Sequence, residues 1–195
     1  MDEFFKALRH FITRDLVFLT GGGIVVGSFL HLFEDLRPNS GDHLVVFLLL
    51  VGISYVVGYA IQDGFSLTGL VSTVLPKKLV GIQKRLYEKF TGLPWKDING
   101  EIDFEEVESS INDDRKIALY ERIITLKQVG TTVGPCSLVV AFFLANIYFR
   151  KERKEDLWLA LFAGALGLLL IGLGWIKLGQ QAKFLERVCE KKPNT

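Results

Sequence analysis

The chain has 195 residues, a net charge of +1 at pH 7, 49% hydrophobic residues and a mean hydropathy of +0.30. Its apolar residues are gathered into four runs, and 195 residues leave too little polar chain to cover four such runs in water, which excludes an ordinary soluble domain. The two cysteines, one inside an apolar run and one in the polar tail, exclude a disulfide-stapled scaffold.

Residues 1–15 form an amphipathic N-terminal segment. Phe4, Phe5, Leu8, Phe11 and Ile12 recur at helical spacing, with Lys6, Arg9 and Arg14 mostly elsewhere on the helix, so the segment is expected to lie at lipid headgroups. The first apolar run, residues 16–33, follows this long polar start and has no small-residue cleavage site, so it reads as a retained membrane helix and not as a signal peptide. With residues 44–61 it makes a transmembrane hairpin spanning 16–61; each run is about 18 residues free of formal charge, the lower limit for crossing a bilayer. His31 and His43 bracket the intervening loop together with Glu34, Asp35 and Asp42, a grouping without a metal-binding motif.

Residues 62–128 are too few for a generous independent core and are expected to be a small helical cytosolic segment. Its first half places Leu79, Ile82, Leu86 and Phe90 near one helical face, with Lys77, Lys78, Lys84, Arg85 and Lys89 around it. That arrangement suits anionic lipid headgroups better than nucleic acid, because the membrane is close by. The charge then inverts: residues 97–114 hold eight acidic side chains and no base. Within them, Asp97, Asn99, Gly100, Ile102, Asp103 and Glu106 resemble the latter part of an EF-hand loop. Trp95, however, stands where the first ligand carboxylate belongs, and an Asn-Gly turn followed by a capping pattern from Asp103 to Glu106 explains the stretch without calcium. From Phe104 the pattern predicts one long helix, with Asp113 and Lys116 supplying only loose charge pairing and no strong breaker before Gly130.

Residues 129–176 form the second transmembrane hairpin, with runs at 129–149 and 157–176. If the third span began afresh at Pro135, only about 22 Å of helix would remain to residue 149, against roughly 30 Å of hydrocarbon. Pro135 is therefore expected inside the span as a kink, with the hydroxyls of Thr131 and Thr132 or a neighbouring helix satisfying the backbone it frees. Small residues four apart recur in every span: Gly23 and Gly27, Ser54 and Gly58, Gly130 and Gly134, Ala163 and Gly167. Such pairs let helix backbones touch, and four seams predict association between copies as well as within one. The remaining polar residues of the runs, Ser28, Ser54, Tyr55, Tyr59, Thr131, Thr132, Ser137 and Asn146, are expected to bond between helices rather than line a pore. No Asp, Glu, Lys or Arg falls within an apolar run, which argues against proton pumps and voltage sensors.

Residues 177–195 form a polar C-terminal tail. With four spans, roughly 18 lysines and arginines share the side of both termini and residues 62–128, and five share the other, so both termini are expected in the cytosol, as in a bacterial inner membrane protein. Residues 150–156 carry four of those five bases and run against the bias, offset by three acidic neighbours. The fold class expected is all-α, a multi-pass protein with four transmembrane helices. No serine elbow, HExxH, CxxC or phosphate loop is present, so no catalytic residue, cofactor or metal is assigned. The expected function is a homo-oligomeric membrane effector or channel-like protein, gated or recruited through its cytosolic helices and belonging to a bacterial stress or antiviral system. The alternative is a non-conducting sensor or scaffold whose segment 97–114 recruits a soluble cytosolic protein.

Overall fold

The computed structural model describes residues 2–33, 43–68, 70–71, 84–85, 88–89, 111 and 113–189, with side-chain surroundings from residue 15 onward except at positions 43, 186 and 189. Among the described residues the chain is all-helical, built on four long helices: α1 Asp2–Leu32, α2 His43–Leu67, α3 Asp114–Lys151 and α4 Lys154–Cys189. All four are long and apolar enough to cross a membrane, with mean hydropathies of 1.6, 2.5, 1.7 and 2.3 over their best windows. The apolar surface bears this out. Leu44, Phe47, Leu48 and Leu49 of α2 and Trp158, Phe162, Leu168 and Leu169 of α4 stand exposed, a band that water would penalise and lipid would not. These features mark a membrane protein.

Two boundaries differ from the pattern in the sequence. Residues 2–32 form a single helix, so the amphipathic start and the first apolar run belong to one continuous element. The continuous helix expected from Phe104 is interrupted at Asp113, and α3 starts at Asp114; residues 104–110 lie outside the described residues. Asp113 caps it with extended backbone (φ −93°, ψ 116°) and a carboxylate that accepts from the Arg115 N–H at 3.0 Å, and Ile111 lies before the helix. A capping carboxylate satisfies an otherwise orphaned N–H, which fixes the start of the helix at this position. Lys116 Nζ lies 3.8 Å from Asp113 Oδ2 across the same first turn.

Once started, α3 runs 38 residues through Pro135 to Lys151, about 57 Å at 1.5 Å per residue. It ends at Glu152, a left-handed residue (φ 51°, ψ 26°) whose N–H donates to the Tyr148 carbonyl at 2.7 Å. Only Glu152 and Arg153 separate α3 from α4, so the two helices form a tight antiparallel hairpin. α3 is the centre of the bundle: α4 packs along it most extensively, α1 packs against both α2 and α3, and α2 makes a lighter contact with α3.

The helices meet through three levels. At the turn end, His31 Nε2 lies 3.7 Å from Asp156 Oδ1. The middle is apolar, with Val25, Cys136, Val140, Leu144, Ile147 and Ala160 forming one buried cluster against which Ala163 packs. At the opposite, polar end, α3 and α4 continue beyond the apolar cluster and close on a second one made by Ile111, Tyr120 and Leu185, where the Tyr120 and Phe184 rings stack at 5.5 Å.

Candidate functional site at the polar end of the bundle

The backbones approach most closely where glycine removes the side chain. In α1 the contact glycine is Gly22, one position before the expected Gly23. A Cβ on Gly22 would sit 1.6 Å from the Ser54 carbonyl oxygen, and one on Gly58 would sit 2.2 Å from the Phe18 carbonyl oxygen. Gly23 only approaches Ser54 Oγ, at 3.9 Å from its would-be Cβ, and Gly27 faces open space. Gly23 and Gly27 are thus turned off the seam while Ser54 and Gly58 lie on it. In the second hairpin, a Cβ on Gly130 would meet Gly174 Cα, Gly174 N and the Leu170 carbonyl oxygen at 2.5 Å, and Gly134 and Gly167 oppose each other across the same interface. Gly174, absent from the small-residue pairs read in the sequence, completes that seam. α1 then docks on α3 through Gly21, whose would-be Cβ lies 3.0 Å from Cys136 Sγ.

Pro135 lies fully buried inside a continuous α3. The hydroxyls expected to answer its freed carbonyl do other work. Thr131 donates to the Gln128 carbonyl at 3.3 Å, and Thr132 donates to Gln62 Oε1 of α2. Other polar residues of the apolar runs also depart from the expectation of bonds between helices. Ser28, Ser137 and Asn146 donate to Ile24, Val133 and Phe142 carbonyls one turn earlier on their own helices, at 2.7, 2.8 and 2.8 Å. An apolar surrounding offers a hydroxyl no water, and the carbonyl four residues back is the nearest acceptor.

The bonds between helices gather at the polar end. Lys127, 5% exposed, donates from Nζ to Gln181 Oε1 at 2.9 Å, and Gln181 Nε2 donates to Tyr120 Oη at 2.9 Å. Trp175, 2% exposed, donates from Nε1 to the Leu70 carbonyl at 2.9 Å, which draws the chain just past α2 onto α4. Tyr55 donates to Asp15 Oδ1 at 3.2 Å, joining α2 to α1. Each of these donors meets an acceptor on another segment of the chain, Gln181 and Tyr120 between α3 and α4, Asp15 on α1 and the Leu70 carbonyl just past α2.

Beside them lies a pocket of about 420 Å³ between α1, α2 and α3, lined by Phe18, Tyr55, Tyr59, Gln62, Asp63, Gln128 and Thr131. Phe18 holds it together: its ring centroid is 5.7 Å from that of Tyr55 and 5.5 Å from that of Tyr59, with ring planes at 74° and 64°. The floor is polar through Gln62, which accepts from Thr132, and the rim carries the Asp63 carboxylate.

Of the basic residues assigned to lipid headgroups, Lys84, Arg85 and Lys89 are helical and exposed, whereas Lys77 and Lys78 lie outside the described residues, as do the EF-hand-like stretch and Glu34, Asp35 and Asp42 of the histidine loop. Among the described residues no group of three or more His, Cys, Asp or Glu side chains is placed to hold a metal ion. The sequence reading missed both the Lys127–Gln181–Tyr120 network and the pocket. The signal was present in spacing: Tyr120 and Lys127 are seven apart, hence on one face of α3, and Tyr55, Tyr59 and Asp63 are each four apart on α2. No family model, curated protein or solved structure matches the chain.

Proposed function

We propose that the chain is a multi-pass integral membrane transducer with four spans, in which residues 62–128 and both termini are cytosolic and an event at the polar end of the bundle is carried into the bilayer by the α3–α4 hairpin. The observation that carries this reading is the continuity of α3. At about 57 Å it exceeds a hydrocarbon core of roughly 30 Å, so one unbroken helix belongs to both environments. The Lys127–Gln181 bond and the Tyr120 and Leu185 contacts tie α4 to that extension, making it a paired rod rather than a single frayed helix. The distribution of lysine and arginine supports the cytosolic assignment of the polar end.

The transduction reading is tested by hydrogen exchange on the protein in nanodiscs. The expected result is protection running without a gap from about Ile117 to Gly134; rapid exchange across Leu126 to Gly130, as in a linker, overturns it. Topology is tested separately with reporter fusions, a cytosol-active reporter at the C-terminus and a reporter active outside the cytosol at the 152–153 turn; the reverse pattern overturns the orientation.

A homo-oligomeric, channel-like assembly is the second reading. Within one copy the level between the polar end and the turn is filled by Val25, Cys136, Val140, Leu144 and Ile147, so a permeation path would have to run between copies. The observation that favours it is that Gly27 and Gly52 face open space, leaving room for another helix to approach α1 or α2. Mass measurement in nanodiscs and ion flux in reconstituted liposomes test it: a ring of four or more copies that conducts supports it, and a non-conducting monomer overturns it.

A further inference from the structure

The pocket at the polar end carries a ligand class of its own. Among the described residues its lining combines one phenyl and two phenol rings, one carboxylate, two side-chain amides and the Thr131 hydroxyl, and includes no Lys, Arg or His. Tyr55 and Tyr59, one turn apart on α2, stand across from Phe18 of α1 with their planes steeply inclined to its ring. Phe18 packs edge to face on both tyrosines, and together the three rings give the pocket an aromatic lining, which attracts a cation lacking strong hydration. Asp63 follows Tyr59 by one further turn, which adds an exposed carboxylate to the lining. Asp15, outside the lining, accepts from the Tyr55 hydroxyl at 3.2 Å and so draws electron density onto that ring.

The chemistry selects among cations. A bare divalent ion is ordinarily held by several acidic side chains. Among the described residues the lining has one carboxylate, and no group of three or more His, Cys, Asp or Glu is placed to hold a metal ion. A volume of about 420 Å³ instead matches the small end of organic-ligand pockets. An anion would meet the Asp63 carboxylate, with no base beside it among the described lining residues. We infer that the cavity formed by Phe18, Tyr55, Tyr59 and Asp63 is a binding site for an organic ammonium group, primary or quaternary, carried on a short polar body.

Two sources carry that group: the amine headgroup of a lipid in the adjoining leaflet, and a soluble amine. The pocket suits either, because Tyr59 is 50% exposed at the level where the apolar run of α2 gives way to Gln62 and Asp63. The inference deepens the transducer reading by naming what the polar end binds, and it rests on that reading only for its direction of action; binding itself can be measured whichever way the chain is inserted.

The test uses the full chain in nanodiscs made only of phosphatidylglycerol, which has no amine, titrated calorimetrically with choline and with ethanolamine. Saturable binding of at least one is expected, weakened tenfold or more by Asp63→Asn and fivefold or more by Tyr59→Leu. Both residues are substantially exposed, so both variants are expected to fold, and Tyr55→Phe, which keeps the ring, is the control for retained binding with a smaller loss. Nanodiscs containing phosphatidylethanolamine distinguish the sources. A raised apparent Kd for the soluble amines, with phosphatidylethanolamine retained on the purified protein in native mass spectra, supports a lipid headgroup; an unchanged Kd supports a soluble amine. The inference is overturned if neither amine binds and no amine lipid is retained, or if binding is indifferent to both Asp63→Asn and Tyr59→Leu. Because nanodiscs expose both faces, failure here leaves the fusion-based topology and the exchange test of α3 standing, and failure of those leaves this result intact.

Discussion

The two hairpins of this molecule use the same small residue in different ways. α1 and α2 meet at one tight crossing, where Gly22 lies on Ser54 and Gly58 lies on Phe18, and only 11% of the best α2 window is buried. α3 and α4 meet along an extended seam, from the 152–153 turn through Gly167 and Gly134, Gly174 and Gly130, to the buried Lys127–Gln181 pair and the Tyr120–Leu185 cluster, and 44% of the α3 window is buried. A single crossing fixes a distance at one point and leaves the rest of the helices to the surrounding lipid; a seam of spaced glycines fixes a register. The first hairpin is a clasp, and the second is a rod.

Experiments that break the clasp should have the largest effect. Gly22→Ala places a methyl carbon where the Ser54 carbonyl oxygen now lies, and backbone cannot step aside as a flexible side chain does, so α1 and α2 must separate. A loss of about 3 kcal/mol or more is expected in detergent unfolding, at the top of the range for overpacked sites; Gly58→Ala is expected to behave alike, and a wild-type unfolding curve for either would remove the crossing. Gly130→Ala attacks the rod. Its Cβ would meet Gly174 and Leu170 backbone at 2.5 Å, but the contacts on either side of it hold the register, so a smaller loss of about 2 kcal/mol is expected. Hydrogen exchange should then speed up locally in α3 and α4 while α1 and α2 stay protected; uniform acceleration would mean that the hairpins are not separable units.

Lys127→Ala sharpens the comparison from the polar side. It leaves Gln181 Oε1 without the lysine donor in a buried setting, which costs about 1–2 kcal/mol. The same change at Lys177, which bonds to Gln180 in an exposed position, is expected to be silent, so equal losses at the two sites would count against a buried network. Gly27→Ala is the smallest effect. With nothing within 4 Å of the new Cβ, stability of a single copy should stay within about 0.5 kcal/mol of wild type. If Gly27→Leu nevertheless lowers the oligomer mass in nanodiscs, that face is used between copies.

Much of this architecture could be read from composition, because apolar run length answers directly to the thickness of a bilayer. The four helices and the burial of Pro135 within the third follow from that arithmetic. What the runs do not encode is rotation about each helix axis. Gly21, Gly22 and Gly23 are adjacent in sequence but 100° apart around α1, so one faces Cys136, one faces Ser54 and Gly58, and the third only grazes Ser54. Spacing by four selects a pair of small residues on one face without saying which face meets a neighbour, and this is why Gly23 and Gly27 came off the seam. The start of α3 was lost for a different reason: a cap is a local bond, and Asp113 stands among acidic residues that all look capable of it. The pocket was hidden because Phe18 and the α2 tyrosines are separated by more than 35 positions and are joined only when the clasp closes.

The turn at Glu152 and Arg153 limits how the rod can move. Sliding one helix past the other by a single turn needs about 5.4 Å of extra chain. Here the left-handed Glu152 is bonded back to Tyr148 and the Asp156 N–H to Arg153, so the connection has no slack to give. A piston stroke between α3 and α4 is thereby ruled out by tether length. α3 and α4 are joined so that they move as one hairpin, and α1 rests on that hairpin where Gly21 meets Cys136.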